Sequence, residues 1–131
     1  MTCINILVLL ASTNGARAQS KVYISADMEG VTSAVTGEQL GPSGFEYDRF
    51  REFMTEEVLA AMRGARAAGA TEFLVRDSHG NGQNLLIDRS LKDVQIVRSW
   101  PRPLGMMGGL EVSFDAANFI GHHTSTANSK S

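Results

Sequence analysis

Asp27 and Glu29 stand two positions apart where an apolar alternation, KVYISA, runs out into DMEG. On an extended segment, positions i and i+2 share a face. Both carboxylates are therefore expected to project together, with Met28 turned the other way. Like charges so close repel unless a cation stands between them, and a metal ion is the usual one. Further donors occur at two other places. DSHG carries Asp77, Ser78 and His79, and GHHTST carries His122 and His123, which completes the chain's three histidines. Carboxylate mixed with imidazole suits zinc and related divalent ions, and a bridging acid with separate partners suits a two-metal site. Each motif alone has a plainer reading: a solvated Asp-x-Glu turn, an Asp capping a helix, a His-His pair on a surface loop. Their convergence at one place in the fold favours the metal.

That convergence depends on the elements that carry the motifs. KVYISA reads as a first strand, TEFLVR as a second, VQIVRS as a third and AANFIG as a fourth. Between the first two strands, EGVTSAVTGEQLGPSG is a loop of the length usually kept for function. SGFE matches a capping box, Ser followed three residues later by Glu. A helix is then expected from about Phe45 to Ala68. Its apolar positions Phe50, Phe53, Met54, Val58, Ala61, Met62 and Ala65 recur at helical spacing, and Gly69 is a natural stop. PLGMMGGLE allows a short helix before the fourth strand. A β-α-β start implies a parallel sheet, and in open parallel sheets ligands bind beyond the carboxyl ends of the strands. The expected fold is thus α/β: three layers with a mostly parallel sheet of about four strands, and a metal site at their carboxyl ends.

Composition sets the limits. The chain has 131 residues, enough for one domain, with 43% hydrophobic and 20% charged residues, which argues against disorder. A formal net charge of −2 and no Lys/Arg cluster give no case for nucleic acid or an anionic membrane surface. Residues 1–18 differ from the rest. INILVLLA has the length of a signal-peptide core and ARA at 16–18 resembles a cleavage site, although MTC supplies no basic residue. The expectation is an export signal over residues 1–18 and a periplasmic or secreted protein. A misassigned start or an ordinary buried strand would leave a cytoplasmic one. The only cysteine, Cys3, lies in this segment and says nothing about redox compartment.

VYISADMEGVT, AAGATEFLVRDSHG followed by NLL, and FIGHHTST together resemble the zinc-dependent D-aminopeptidase family, DppA type, in order over nearly all of residues 21–128. The resemblance implies a dinuclear zinc centre with Asp27 as bridging ligand, Glu29 and His79 on one ion, and His123 on the other. Of the two ions, this chain would hold one firmly. Family members commonly read Gly-Tyr-His where this chain has Gly121-His122-His123. His122 therefore occupies the tyrosine place and supports the site with Asp77 and Ser78, without being a ligand. The resemblance also implies hydrolysis of short peptides of D-amino acids from the amino end, and homo-oligomeric rings, often decamers.

Family members continue further, and the added stretch supplies a catalytic histidine and a glutamate for the second metal. By that resemblance the catalytic histidine is expected beyond Ser131, the last residue of this sequence. Only eight residues follow His123 here, none of them Glu or His. No catalytic residue is therefore assigned within the chain. The expectation is the N-terminal part of a metallo-aminopeptidase, inactive alone. Two other readings stand beside it: a non-catalytic metal-binding remnant, and a flavodoxin-like module holding an anion. The anion reading is weakest, because paired acids repel phosphate and no glycine-rich phosphate loop is present.

Overall fold

The computed structural model describes residues 20–89, 91 and 93–123. The expected signal over residues 1–18 and the polar tail from Thr124 to Ser131 lie outside them. So does the expectation of a catalytic histidine beyond Ser131. Four strands, β1 (Ser20–Ala26), β2 (Ala70–Asp77), β3 (Gln95–Val97) and β4 (Ala116–Ile120), form one sheet in the order β3-β2-β1-β4, with every pairing parallel. β1 lies between β2 and β4, and Val22 to Ala26 are buried throughout. A strand covered on both faces favours the apolar and β-branched residues found there. The chain builds outward from β1 to β2 and β3, then returns to the other side of β1 as β4. The strand order therefore reverses at β1, and a crevice at such a switch point is where open α/β sheets bind ligands.

One helix, α1 (Tyr47–Ala68), connects β1 to β2 and covers one face of the sheet. Phe50, Met54, Val58 and Met62 are buried against Val22, Ile24, Phe73 and Val75, with Phe53, Ala61 and Ala65 packed at the margin. This is the stripe expected from the sequence. Each of the large side chains contributes about 1.5–3 kcal/mol by leaving water. Gly69 ends the helix in the left-handed conformation at φ 110°, its N–H donating to the carbonyls of Ala65 and Arg66. The start differs from expectation. Phe45 is exposed and outside the helix, and Glu46 occupies the N-cap position without a side-chain capping bond. The Glu46 carboxylate instead accepts the Gln39 side-chain amide at 2.7 Å, so it ties down the preceding loop.

The opposite face is polar and is covered by irregular chain. Tyr23, Ser25, Arg76 and Ser78 point away from α1 and donate to carbonyls of the segment around a one-turn 3-10 helix, Gly105–Met107. That turn is the short helix expected in PLGMMGGLE. The third layer is thus a loop held by directed bonds, while α1 is held by buried area. Among the described residues β4 pairs only with β1, and Ala116 to Phe119 are exposed.

Candidate metal centre

The carboxyl ends of β1, β2 and β4 are fastened to one another beyond the regular strands. Ser78 N–H donates to the Ala26 carbonyl at 2.8 Å, Asp27 N–H to the Ile120 carbonyl at 2.8 Å, and Gly30 N–H to the Gly121 carbonyl at 2.8 Å. Two glycines permit the last approach. A Cβ on Gly30 would lie 3.0 Å from the Gly121 backbone, and one on Gly121 would collide with the Asp27 carbonyl. Gly121 is also at φ +66°, where side chains are strained. Met28 turns into the core and is fully buried, as the alternation requires.

The two carboxylates meet on one imidazole. His79 Nδ1 lies 3.2 Å from Asp27 Oδ1 and 3.0 Å from Glu29 Oε2. Its other nitrogen, Nε2, lies 2.8 Å from the Leu40 carbonyl, which can only accept, so Nε2 carries a hydrogen. Nδ1 is therefore the atom offered to the acids, either as a lone pair sharing a cation with them or as N–H of an imidazolium. Without a metal the second applies. Burial opposes a charged ring, but the bonds to Asp27, Leu40 and Glu29 outweigh it and raise His79 to about 9. Burial likewise opposes ionisation of Asp27, and bonds from His79 and the Met28 N–H hold its carboxyl below the usual range. On the β4 side, His123 Nε2 is 3.9 Å from Glu29 Oε1. One ligand-type atom from each of Asp27, Glu29 and His123 lies within 4.8 Å of the others. Glu29 thus has one oxygen toward each histidine.

Supporting residues face elsewhere. Asp77 is fully buried and accepts from Asn84 N–H at 2.5 Å, Leu85 N–H at 2.8 Å and the Asn84 amide at 2.8 Å. Asn84 in turn donates to the His79 carbonyl at 2.6 Å and accepts from Tyr47 at 2.6 Å, which fixes the loop that carries His79. Ser78 bonds Ser25 at 2.7 Å, and His122 Nε2 lies 3.0 Å from the same Ser25 hydroxyl. Asp77, Ser78 and His122 therefore adjoin the centre, with these bonds directed away from the Asp27–Glu29 pair. Leu40, Ser25 and Tyr47 have roles that sequence reasoning misses. Asn84 had a partial signal as the first residue of NLL, whereas Leu40 acts through a backbone carbonyl that its residue type does not announce.

The donor set fits a divalent ion. Asp27 Oδ2 is buried with no hydrogen-bond partner while Oδ1 is engaged, so half of this ionised carboxylate is unsatisfied. Buried polar atoms are normally paired, and two carboxylates with imidazole nitrogens at their open sides match zinc's preferences.

A family description of D-aminopeptidases matches residues 20–131. The D-aminopeptidase of Bacillus subtilis (strain 168) is 33% identical over 103 residues, covering 79% of this chain and 38% of that protein. Among solved structures, the chain is similar to the Zn-dependent D-aminopeptidase DppA from Bacillus subtilis, a self-compartmentalizing protease, with a TM-score of 0.73 and 34% identity over 80% of this chain. The chain spans 38% of the length of each of these relatives.

Proposed function

The chain belongs to the D-aminopeptidase family, and from that premise we propose that Asp27, Glu29, His79 and His123 are protein ligands of its zinc centre, in a peptidase acting on short peptides with a free amino end. The observation that carries this reading is His79, whose Nε2–H is committed to Leu40 while Nδ1 faces two carboxylates. A carbonyl on the far nitrogen of a ligating histidine fixes its tautomer and raises its basicity. Zinc bound there lowers the pKa of a coordinated water and polarises a carbonyl. The chain's own residues supply the rest. Leu40 orients His79, Asn84 and Asp77 hold its loop, and the Gly30–Gly121 contact brings His123 to Glu29. Asp27, with a carboxylate oxygen for each, would be shared between two ions, with Glu29 and His79 holding one and His123 the other.

The substrate class, peptides of D-amino acids, follows from the relatives' name of D-aminopeptidase, and a homo-oligomer is supported by the description of DppA as a self-compartmentalizing protease; its ring form is what the family resemblance implies. No helix among the described residues is long and apolar enough to cross a membrane. Residues 1–18 support a periplasmic or secreted location through their apolar run and ARA site. Amino-terminal sequencing of protein from an envelope fraction should begin near Gln19, and an intact Met1 refutes that placement. For the centre, zinc content after dialysis decides. The native chain should retain about one zinc and Asp27→Ala none, since catalytic zinc typically has three protein ligands. Equal content in both refutes the assignment.

A further inference from the structure

A line of hydrogen bonds runs across the strand ends immediately behind the four proposed ligands. Ser78, on the β2 side, precedes His79 by one residue. Ser25 in β1 precedes Asp27 by two. His122, just past β4, precedes His123 by one. The Ser78 and Ser25 hydroxyls are 2.7 Å apart, and His122 Nε2 is 3.0 Å from Ser25 Oγ. The Met106 carbonyl accepts from Ser25 at 3.1 Å and from Ser78 at 3.4 Å. Each hydroxyl has one proton: with Ser25 donating to the Met106 carbonyl, the Ser78 proton goes to the Ser25 oxygen at 2.7 Å in place of the longer 3.4 Å bond to Met106, and His122 donates to the same oxygen from Nε2. The His122 ring also meets Phe119 edge-on, 5.4 Å between centroids at 82°.

We propose that Ser78, Ser25 and His122 form a rail that fixes the three strand ends relative to one another, and that His122 is a positioning residue setting where His123 stands. The inference rests on the reading of His123 as a ligand and adds to it a residue that acts without touching the ion. The two histidine-bearing loops are also joined through the β1 end by backbone bonds and by the Asp27 and Glu29 carboxylates. His122 is held at two points, by a hydroxyl at its nitrogen and by Phe119 at its ring. That fixes the 121–123 backbone and with it the direction in which His123 leaves the chain. Ser25 at full burial and Ser78 at the neck of the His79 loop make the rail continuous.

Three variants of the full chain test this: His122→Phe keeps the aromatic contact without the bond, His122→Gln restores a donor, and Ser25→Ala removes the centre of the rail. Cobalt(II) titration followed by visible absorption reports the ligand set. His122→Phe and Ser25→Ala should bind cobalt about 10–100-fold more weakly than native, the usual loss for an outer-shell partner, and His122→Gln should recover most of the loss. Native affinity in His122→Phe, or no recovery in His122→Gln, overturns the proposal. Amide exchange of the metal-free chain gives a second measure that needs no ion. In His122→Phe the amides at 121–123 should exchange at least about tenfold faster while those of α1 keep native protection. Equal acceleration in α1 means a general loss of stability and overturns the positioning role. A native chain that takes up no cobalt refutes the zinc reading, and the exchange measurement still judges the rail.

Discussion

The two histidine arms of the centre are built differently. His79 is buried, with both ring nitrogens engaged and its loop pinned by Asn84 and Asp77. The His123 side chain is 55% exposed and stands 3.9 Å from its acid. One arm is buried with partners at both ring nitrogens, and the other stands at the surface beside its acid. A buried donor fixed by its partners binds with little ordering cost, whereas an exposed one gives up more of its affinity to being ordered. The β2 side should therefore dominate affinity, and the β4 side should determine whether a second ion or a substrate can be accommodated.

The strongest way to break this asymmetry is to remove each arm in turn. His79→Ala should reduce zinc retention to near zero, while His123→Ala should keep an ion with affinity weakened about ten- to a hundredfold, measured by competition with a chromophoric chelator. Equal losses would show the arms to be equivalent.

Protons sharpen the comparison. With His79 at about 9 in the metal-free chain, zinc must displace a proton at neutral pH. Affinity should fall about tenfold per pH unit below 9, roughly a hundredfold by pH 7. One proton should be released from His79 per zinc at pH 7, read by calorimetry in buffers of different ionisation enthalpy. Stability of the metal-free chain has the opposite sign. The raised His79 contributes fully below its ordinary 6.5, and the contribution is lost as pH rises through about 9. Asp27, held below its usual range, contributes above its ordinary value, and that contribution fades as acid protonates it. Melting temperature should therefore decline as pH rises from about 6.5 to about 9, and decline again in acid, and a curve flat between 6.5 and 9 would contradict the His79–acid pairing.

Gly121→Ala tests the β4 arm alone. The left-handed backbone and the collision with the Asp27 carbonyl should cost about 1–3 kcal/mol of stability. Zinc affinity should fall to the level of His123→Ala, and a variant binding like native would show that the glycine contact does not place His123. The smallest effect is expected at Gly44. A Cβ there meets the Glu38 carbonyl and displaces the turn that presents Leu40 to His79. Gly44→Ala should weaken zinc by about tenfold at most, with the His79 ring-nitrogen shifts in NMR reporting a loosened Nε2–H bond.

The candidate ligands could be read from the sequence because they are side chains at strand ends, where periodicity places them. Asp27, Glu29, His79 and His123 all reach one sheet edge, and the stripe of α1 and its Gly69 stop follow from spacing alone. The helix start did not follow, because the Ser43–Glu46 pattern competes with the Gln39 amide for the Glu46 carboxylate. The Leu40 carbonyl was invisible for a deeper reason, since every residue carries one and only the folded loop selects which is used. Ser25 was hidden because a serine inside an apolar alternation reads as a tolerated polar residue, and its partners come from 53 and 97 positions away.

Those separations have a consequence in the order of assembly. Parallel strands cannot be joined by a tight turn, so neighbouring strand ends always bring together residues far apart in sequence. His79 reaches Asp27 across 52 positions, and loops of that size close late. An unfolded chain thus offers zinc only the Asp-x-Glu pair and scattered histidines, and the ion distinguishes finished molecules from unfinished ones. Zinc supply then acts as a thermodynamic ratchet on maturation, drawing the population toward the folded form by mass action in proportion to the free metal.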